Sequence, residues 1–190
     1  MFARTERLLL RPAWREDAPA LHRAIGEEAV IRNLARAPWP YGERDAAAFI
    51  DRDADGLLPN FLIFARTDAA PVLVGGVGLH REEAGAPGES GAVELGYWIS
   101  RAHWGRGFAT EAGRAVLEIA DSCLRLRRIT AGHFLDNPAS GRVLRKLGFR
   151  PTGCVVHRHS LGRGTSAPCA LFERESEALS ARGDRRPLAA

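Results

Sequence analysis

The segment HWGRGFATEA, residues 103–112, constrains this chain more than any other stretch. It sets Gly105-Arg106-Gly107 between a strand-like run and a long amphipathic pattern. A helix beginning there opens with N–H groups that have no intrahelical acceptor, and glycines let the backbone before it approach a ligand closely. Such donors, backed by the positive end of the helix, bind phosphate oxygens. The chain must therefore deliver a strand, a tight turn and a helix in succession.

Two familiar phosphate-binding patterns do not fit. No Gly-Lys-Ser/Thr follows the glycines, which excludes a P-loop. A dinucleotide fingerprint needs a third glycine or alanine where Thr110 stands, an early strand before it and an acid about 20 residues on. Glycines that merely ease a turn remain an alternative for this segment alone.

The rest of the chain alternates strand and helix patterns. Strands are expected at residues 6–13, 60–66, 72–81, 92–100, 128–135, 152–159 and 167–175. Helices are expected at 14–25, 43–53, 108–124 and 138–147. In the third helix Phe108, Ala112, Ala115, Val116, Ile119 and Ala120 recur at helical spacing and define a buried face. The last helix has Asn137 as N-cap, Pro138 at its first position and Gly148 as its stop. Residues 37–41 are a proline-broken loop, 68–71 a turn, 82–91 a loop and 177–190 a polar tail. The reading is one α/β domain over residues 1–176, followed by that tail.

Composition narrows the partners. The net charge of +4 comes almost wholly from arginine, with Lys146 the only lysine, and no dense basic block marks a nucleic-acid surface. Cys123, Cys154 and Cys169 are odd in number and far apart, so neither a disulfide framework nor a metal-ligand spacing is expected. No stretch approaches the roughly 18 apolar residues of a membrane span, and the N-terminus is not a signal peptide. A cytoplasmic protein without metal is the expectation.

Several motifs in order resemble the GNAT superfamily of acetyl-CoA-dependent N-acetyltransferases, and within it the ribosomal-protein N-terminal acetyltransferase (RimJ/RimL) branch. They are TERLLLRP at 5–12, the loop at 38–41, ELGYWI at 94–99, WGRGFATEA at 104–112, DNPAS at 136–140 and KLGF at 146–149. The resemblance implies an α+β domain with a mixed, mostly antiparallel sheet of about seven strands, helices on both faces and one splayed strand pair. It also implies acetyl-CoA as co-substrate and a primary amine as acceptor, a protein N-terminus above polyamines, amino acids or aminoglycosides. A homodimer and a non-catalytic acyl-CoA sensor both stay open.

Site roles follow from the same resemblance. The phosphate loop is read as Trp104, Gly105, Arg106, Gly107, Phe108 and Ala109, with Thr110 supplying a further backbone donor. Trp104 departs from the polar residue usual at that position. The strand through Gly96, Tyr97, Trp98 and Ile99 resembles the one that pairs with the pantetheine arm, and Gly96 fits a bulge or a close approach. A backbone N–H near Gly96 and Tyr97 would stabilise the oxyanion.

Asn137 is a helix cap that also resembles a pantetheine ligand. Ser140 is either a solvated N3 hydroxyl or the donor to the departing thiolate, and Arg142 and Lys146 are candidates for the ribose phosphate. Glu94 is the candidate base, or alternatively a strand-edge carboxylate paired with an arginine. Trp39, Tyr41 and His80 are expected at the acceptor, between the loops at 37–43 and 161–166.

Overall fold

The computed structural model describes residues 1–52, 57–81 and 92–176. Eight strands form one sheet in the order β1-β2-β3-β4-β5-β6-β8-β7. They are β1 (Ala3–Arg4), β2 (Leu8–Arg11), β3 (Asn60–Ala65), β4 (Val72–Arg81), β5 (Val93–Ile99), β6 (Arg128–Phe134), β7 (Arg150–Ser160) and β8 (Thr165–Glu175). The helices are α1 (Ala18–Ile25), α2 (Glu28–Ile31), α3 (Glu43–Arg52), α4 (Phe108–Ser122) and α5 (Pro138–Lys146). The expected loop at 82–91 and the tail from 177 lie outside the described residues.

The sheet has one strand more than expected, because the two-residue β1 is too short to show periodicity. The four-residue α2 escapes for the same reason. The helix expected from residue 14 begins instead at Ala18, after a single 3-10 turn at Arg15–Asp17. Asp17 decides this boundary. Its carboxylate accepts the Trp14 N–H at 2.7 Å and a bidentate pair from Arg11 at 2.7 Å each, holding Trp14 extended.

Alternation in β3 builds the two layers. Phe61 and Ile63 enter the core beneath α4 and α5, with Leu8, Leu10, Val77, Leu95, Val116, Leu144 and Phe172. Leu62 and Phe64 enter the opposite core beneath α1 and α3, with Leu21, Ile25, Ala46 and Ile50. A strand buried on both faces reads as the near-continuous run NFLIFA, and β3 does.

All ladders are antiparallel except β5 with β6, which run parallel and, among the described residues, meet only at Glu94 and Thr130. Beyond Glu94 the two strands diverge. Alternate N–H and C=O groups of β5 after Glu94 consequently face an opening instead of a strand. On its other edge β5 keeps an unbroken ladder with β4 from Val93 to Ile99.

The β7–β8 hairpin tip bends over the α2 side. Leu161 N–H donates to Ala35 O at 2.9 Å, and Ser160 Oγ donates to Leu34 O at 2.7 Å. Gly162 sits so close to Ile31 and Ala37 that a β-carbon there would run into Ile31 Cγ2. The two loops expected to bound the acceptor therefore touch each other.

Candidate active site

The glycine turn forms at the end of β5, where the sequence puts it. Gly105 and Gly107 take φ of +76° and +79°, a left-handed backbone that side chains with a β-carbon resist. Gly107 is the N-cap of α4 and has no side chain to satisfy the helix's first donors. The turn and the first turn of α4 thus present N–H groups next to the β5–β6 opening. Phe108 and Thr110 are buried and anchor the helix start, while Gly105 and Arg106 are exposed. Ala109 packs against the core edge. Trp104 turns its indole back, donating Nε1–H to Ile99 O at 2.7 Å, so it closes the turn without any polar group aimed outward.

Residues on β5 divide between its two faces. Tyr97 faces α5, and its hydroxyl lies 2.8 Å from Ser140 Oγ and 3.0 Å from Ser140 O. Burial raises the phenol to about 12 against a smaller lowering by Ser140, so it stays protonated. Ser140 is therefore held by Tyr97 and is not merely a solvated N3 hydroxyl. Asn137 caps α5, its Oδ1 accepting the Ser140 N–H at 3.3 Å. Ile99 is buried on the α4 side.

The opposite face of β5 carries Glu94, Gly96 and Trp98. Glu94 is 7% exposed. Its Oε2 lies 3.1 Å from His80 Nε2 on β4, and its Oε1 accepts from Arg158 Nη1 on β7 at 2.5 Å. Burial alone would raise this carboxyl, but the His80 hydrogen bond and the Arg158 charge together hold it below the usual range. Glu94 is thus a fixed negative charge and a weak base. Gly96 makes no bulge, because the β4–β5 ladder continues through it; it is a close approach, with a β-carbon there 3.3 Å from the His80 ring. Trp98 packs into the α1–α3 core.

Other expected residues fall differently. Tyr41 is 7% exposed and belongs to the apolar cluster that also holds Leu21, Ile25, Ala46 and Ile50 of α1 and α3. Trp39 is 42% exposed and stays at the surface of that loop. Arg142 and Lys146 are exposed on α5. Lys146 shares a groove with Leu117, Glu118, Asp121 and Ser122 near the C-terminal end of α4. That helix has 15 residues, about 22 Å at 1.5 Å per residue. The structure does not bring Lys146 to the loop at its other end.

Two participants escape a reading of the sequence. Arg158 lies on a strand remote in the chain, and only the arginine alternative for Glu94 hinted at it. Arg7 reaches the glycine turn from the β1–β2 connection, donating from Nη1 to Arg106 O at 3.1 Å. Among the described residues no cluster of His, Cys, Asp and Glu is able to hold a metal ion, and no helix is long and apolar enough to cross a membrane.

Known proteins share this fold. The chain is 31% identical over 155 residues to the uncharacterised N-acetyltransferase p20 of Bacillus licheniformis, covering 80% of this chain and 83% of that one. It is 29% identical over 100 residues to the ribosomal-protein-serine acetyltransferase of Escherichia coli, about half of each chain. The fold superposes with a TM-score of 0.75 on RimL, the ribosomal L7/L12 α-N-protein acetyltransferase solved with coenzyme A, at 21% identity over 94% of this chain and 99% of that one. The family model described as acetyltransferase (GNAT) domain matches residues 7–150, and with the p20 likeness this establishes that the chain belongs to the GNAT acetyltransferase family.

Proposed function

We propose that this N-acetyltransferase moves the acetyl group of acetyl-CoA to the α-amine of a protein N-terminus by direct attack. The observation that carries the reading is the two-sided construction of β5. One face leads to Tyr97 and Ser140, the other to Glu94 and His80, and the strand runs from its opening into the glycine turn. The likeness to ribosomal-protein acetyltransferases supports an N-terminal acceptor.

In this mechanism the backbone donors of residues 105–110 hold the coenzyme diphosphate. The amine attacks the thioester carbonyl carbon from the Glu94 side, and a β5 N–H near Gly96 and Tyr97 receives the oxyanion. The C–S bond then breaks. The electron pair leaves on sulfur, and Ser140 donates a hydrogen bond to the thiolate. A thiolate with conjugate pKa about 8.5 needs only that much help. Glu94 attracts the amine and steadies the developing ammonium, whose proton leaves to solvent. An α-amine titrates near 8, so about a tenth is neutral one unit lower, and no strong base is needed.

Ser140→Ala is expected to lower kcat about tenfold or more while the KM for acetyl-CoA stays within about twofold. A full kcat from pH 6 to 9 would remove Ser140 from the mechanism. The acceptor is tested by thiol release with peptides bearing free N-termini, their N-terminally blocked lysine-containing counterparts, spermidine and an aminoglycoside. Free-N-terminus peptides should turn over best and blocked ones not at all. Preference for a small amine would transfer the assignment to it, and coenzyme binding without turnover on any amine would make the protein a sensor.

A further inference from the structure

The phosphate turn has a weakness that its own residues do not repair. Both glycines are left-handed, and Gly107 brings no capping side chain. Among the described residues, no side chain of Gly105, Arg106 or Gly107 holds the peptide groups of the turn. The group that does so comes from about a hundred residues earlier in the chain.

Arg7 stands immediately before β2, and its guanidinium forks between two targets. Nε and Nη2 grip Glu111 Oε2 at 2.7 and 2.6 Å, while Nη1 donates to Arg106 O at 3.1 Å. Glu111, one turn into α4, is tied down further. Its Oε1 accepts the Arg7 N–H at 3.0 Å and the Thr5 hydroxyl at 2.5 Å, and its own N–H donates to Gly107 O at 3.0 Å. The guanidinium also lies over the buried Phe108 ring, 4.9 Å from its centre. One side chain thus touches the turn at Arg106 and the helix at Phe108 and Glu111.

The Arg106–Gly107 peptide is planar and trans, so its C=O and N–H point in opposite directions. Fixing the Arg106 carbonyl on Arg7 turns the Gly107 N–H to the far side of the turn, away from Arg7. We propose that Arg7, clamped by Glu111, is the positioning residue of the coenzyme loop, setting the Gly107 N–H for the diphosphate before the ligand arrives. This rests on the reading of the loop as the coenzyme site. Arg7 lies on the carbonyl side of that peptide, opposite the Gly107 N–H, so it acts through the backbone and not as a phosphate ligand. Lysine, a single point donor, cannot span both targets.

The test compares acetyl-CoA with S-acetylpantetheine, a thioester that lacks the diphosphate. Arg7→Met should raise the KM for acetyl-CoA about tenfold or more, leave kcat within about twofold, and leave kcat/KM for S-acetylpantetheine unchanged. Arg7→Lys should lose acetyl-CoA affinity in the same selective way, to a smaller extent, and serves if the methionine variant does not fold. Equal losses with both thioesters would make Arg7 a support of the fold only, and no loss with either would remove it altogether; both overturn the proposal. A wild-type protein that uses the two thioesters equally well would instead overturn the coenzyme reading of the loop, whatever Arg7 does.

Discussion

Replacing Gly107 with valine is expected to weaken acetyl-CoA binding by at least about tenfold while the protein stays folded. Gly107 has φ +79° and ψ 4°. A β-carbon there costs about 1–2 kcal/mol, and a β-branched side chain is a worse fit still. About 1.4 kcal/mol is a factor of ten in affinity. The loss is conformational and not a collision, because a β-carbon at 107 would meet only Arg7 Nη2, at an ordinary 3.6 Å. The variant relieves its strain by rotating the turn, and the donors turn with it. Gly107→Ala should show the same effect more weakly. Calorimetric titration with acetyl-CoA measures both, and an unchanged Kd for the valine variant would contradict the assignment of the loop.

The second large effect concerns the Glu94–Arg158 pair, where stability and turnover should separate. Glu94→Gln keeps the shape but takes the negative charge away from Arg158 and His80. We expect kcat to fall about 100-fold, as for the loss of other preorganised charge stabilisers. Stability should fall by about 1–3 kcal/mol, the cost of weakening a buried charge-assisted contact. Adding Arg158→Met removes the cation as well, and a side chain of similar length restores packing. Stability should recover in part in the double variant, because no uncompensated buried cation is left, while kcat stays low. Recovery of turnover along with stability would reduce Glu94 to a structural role.

The direction of the Glu94 shift adds a pH signature. Its folded-state pKa lies below the ordinary value, so its contribution to stability is full above that value and is lost as pH falls through the folded one. The Glu94→Gln variant should lack this part of the acid-side loss. Turnover from pH 6 to 8 should follow neutralisation of the acceptor amine in both proteins, since Glu94 is ionised throughout that range.

Local signals were legible in the sequence and long-range ones were not. The Gly-Arg-Gly turn, the Phe108 face of α4 and the Asn137–Pro138 start of α5 each rest on residues within a few positions of one another, where backbone rules apply directly. The partners that complete the site are separated along the chain by 104 positions for Arg7 and Glu111, 64 for Arg158 and Glu94, and 43 for Tyr97 and Ser140. Only the strand order brings them together.

The central claim is that the main-chain donors of residues 105–110 bind the coenzyme diphosphate. A crystal structure of the protein grown with acetyl-CoA tests it most directly. The account predicts the diphosphate against those N–H groups at the start of α4, with the acyl arm entering where β5 parts from β6. Density for the diphosphate at any other place, or none at saturating acetyl-CoA, would contradict it.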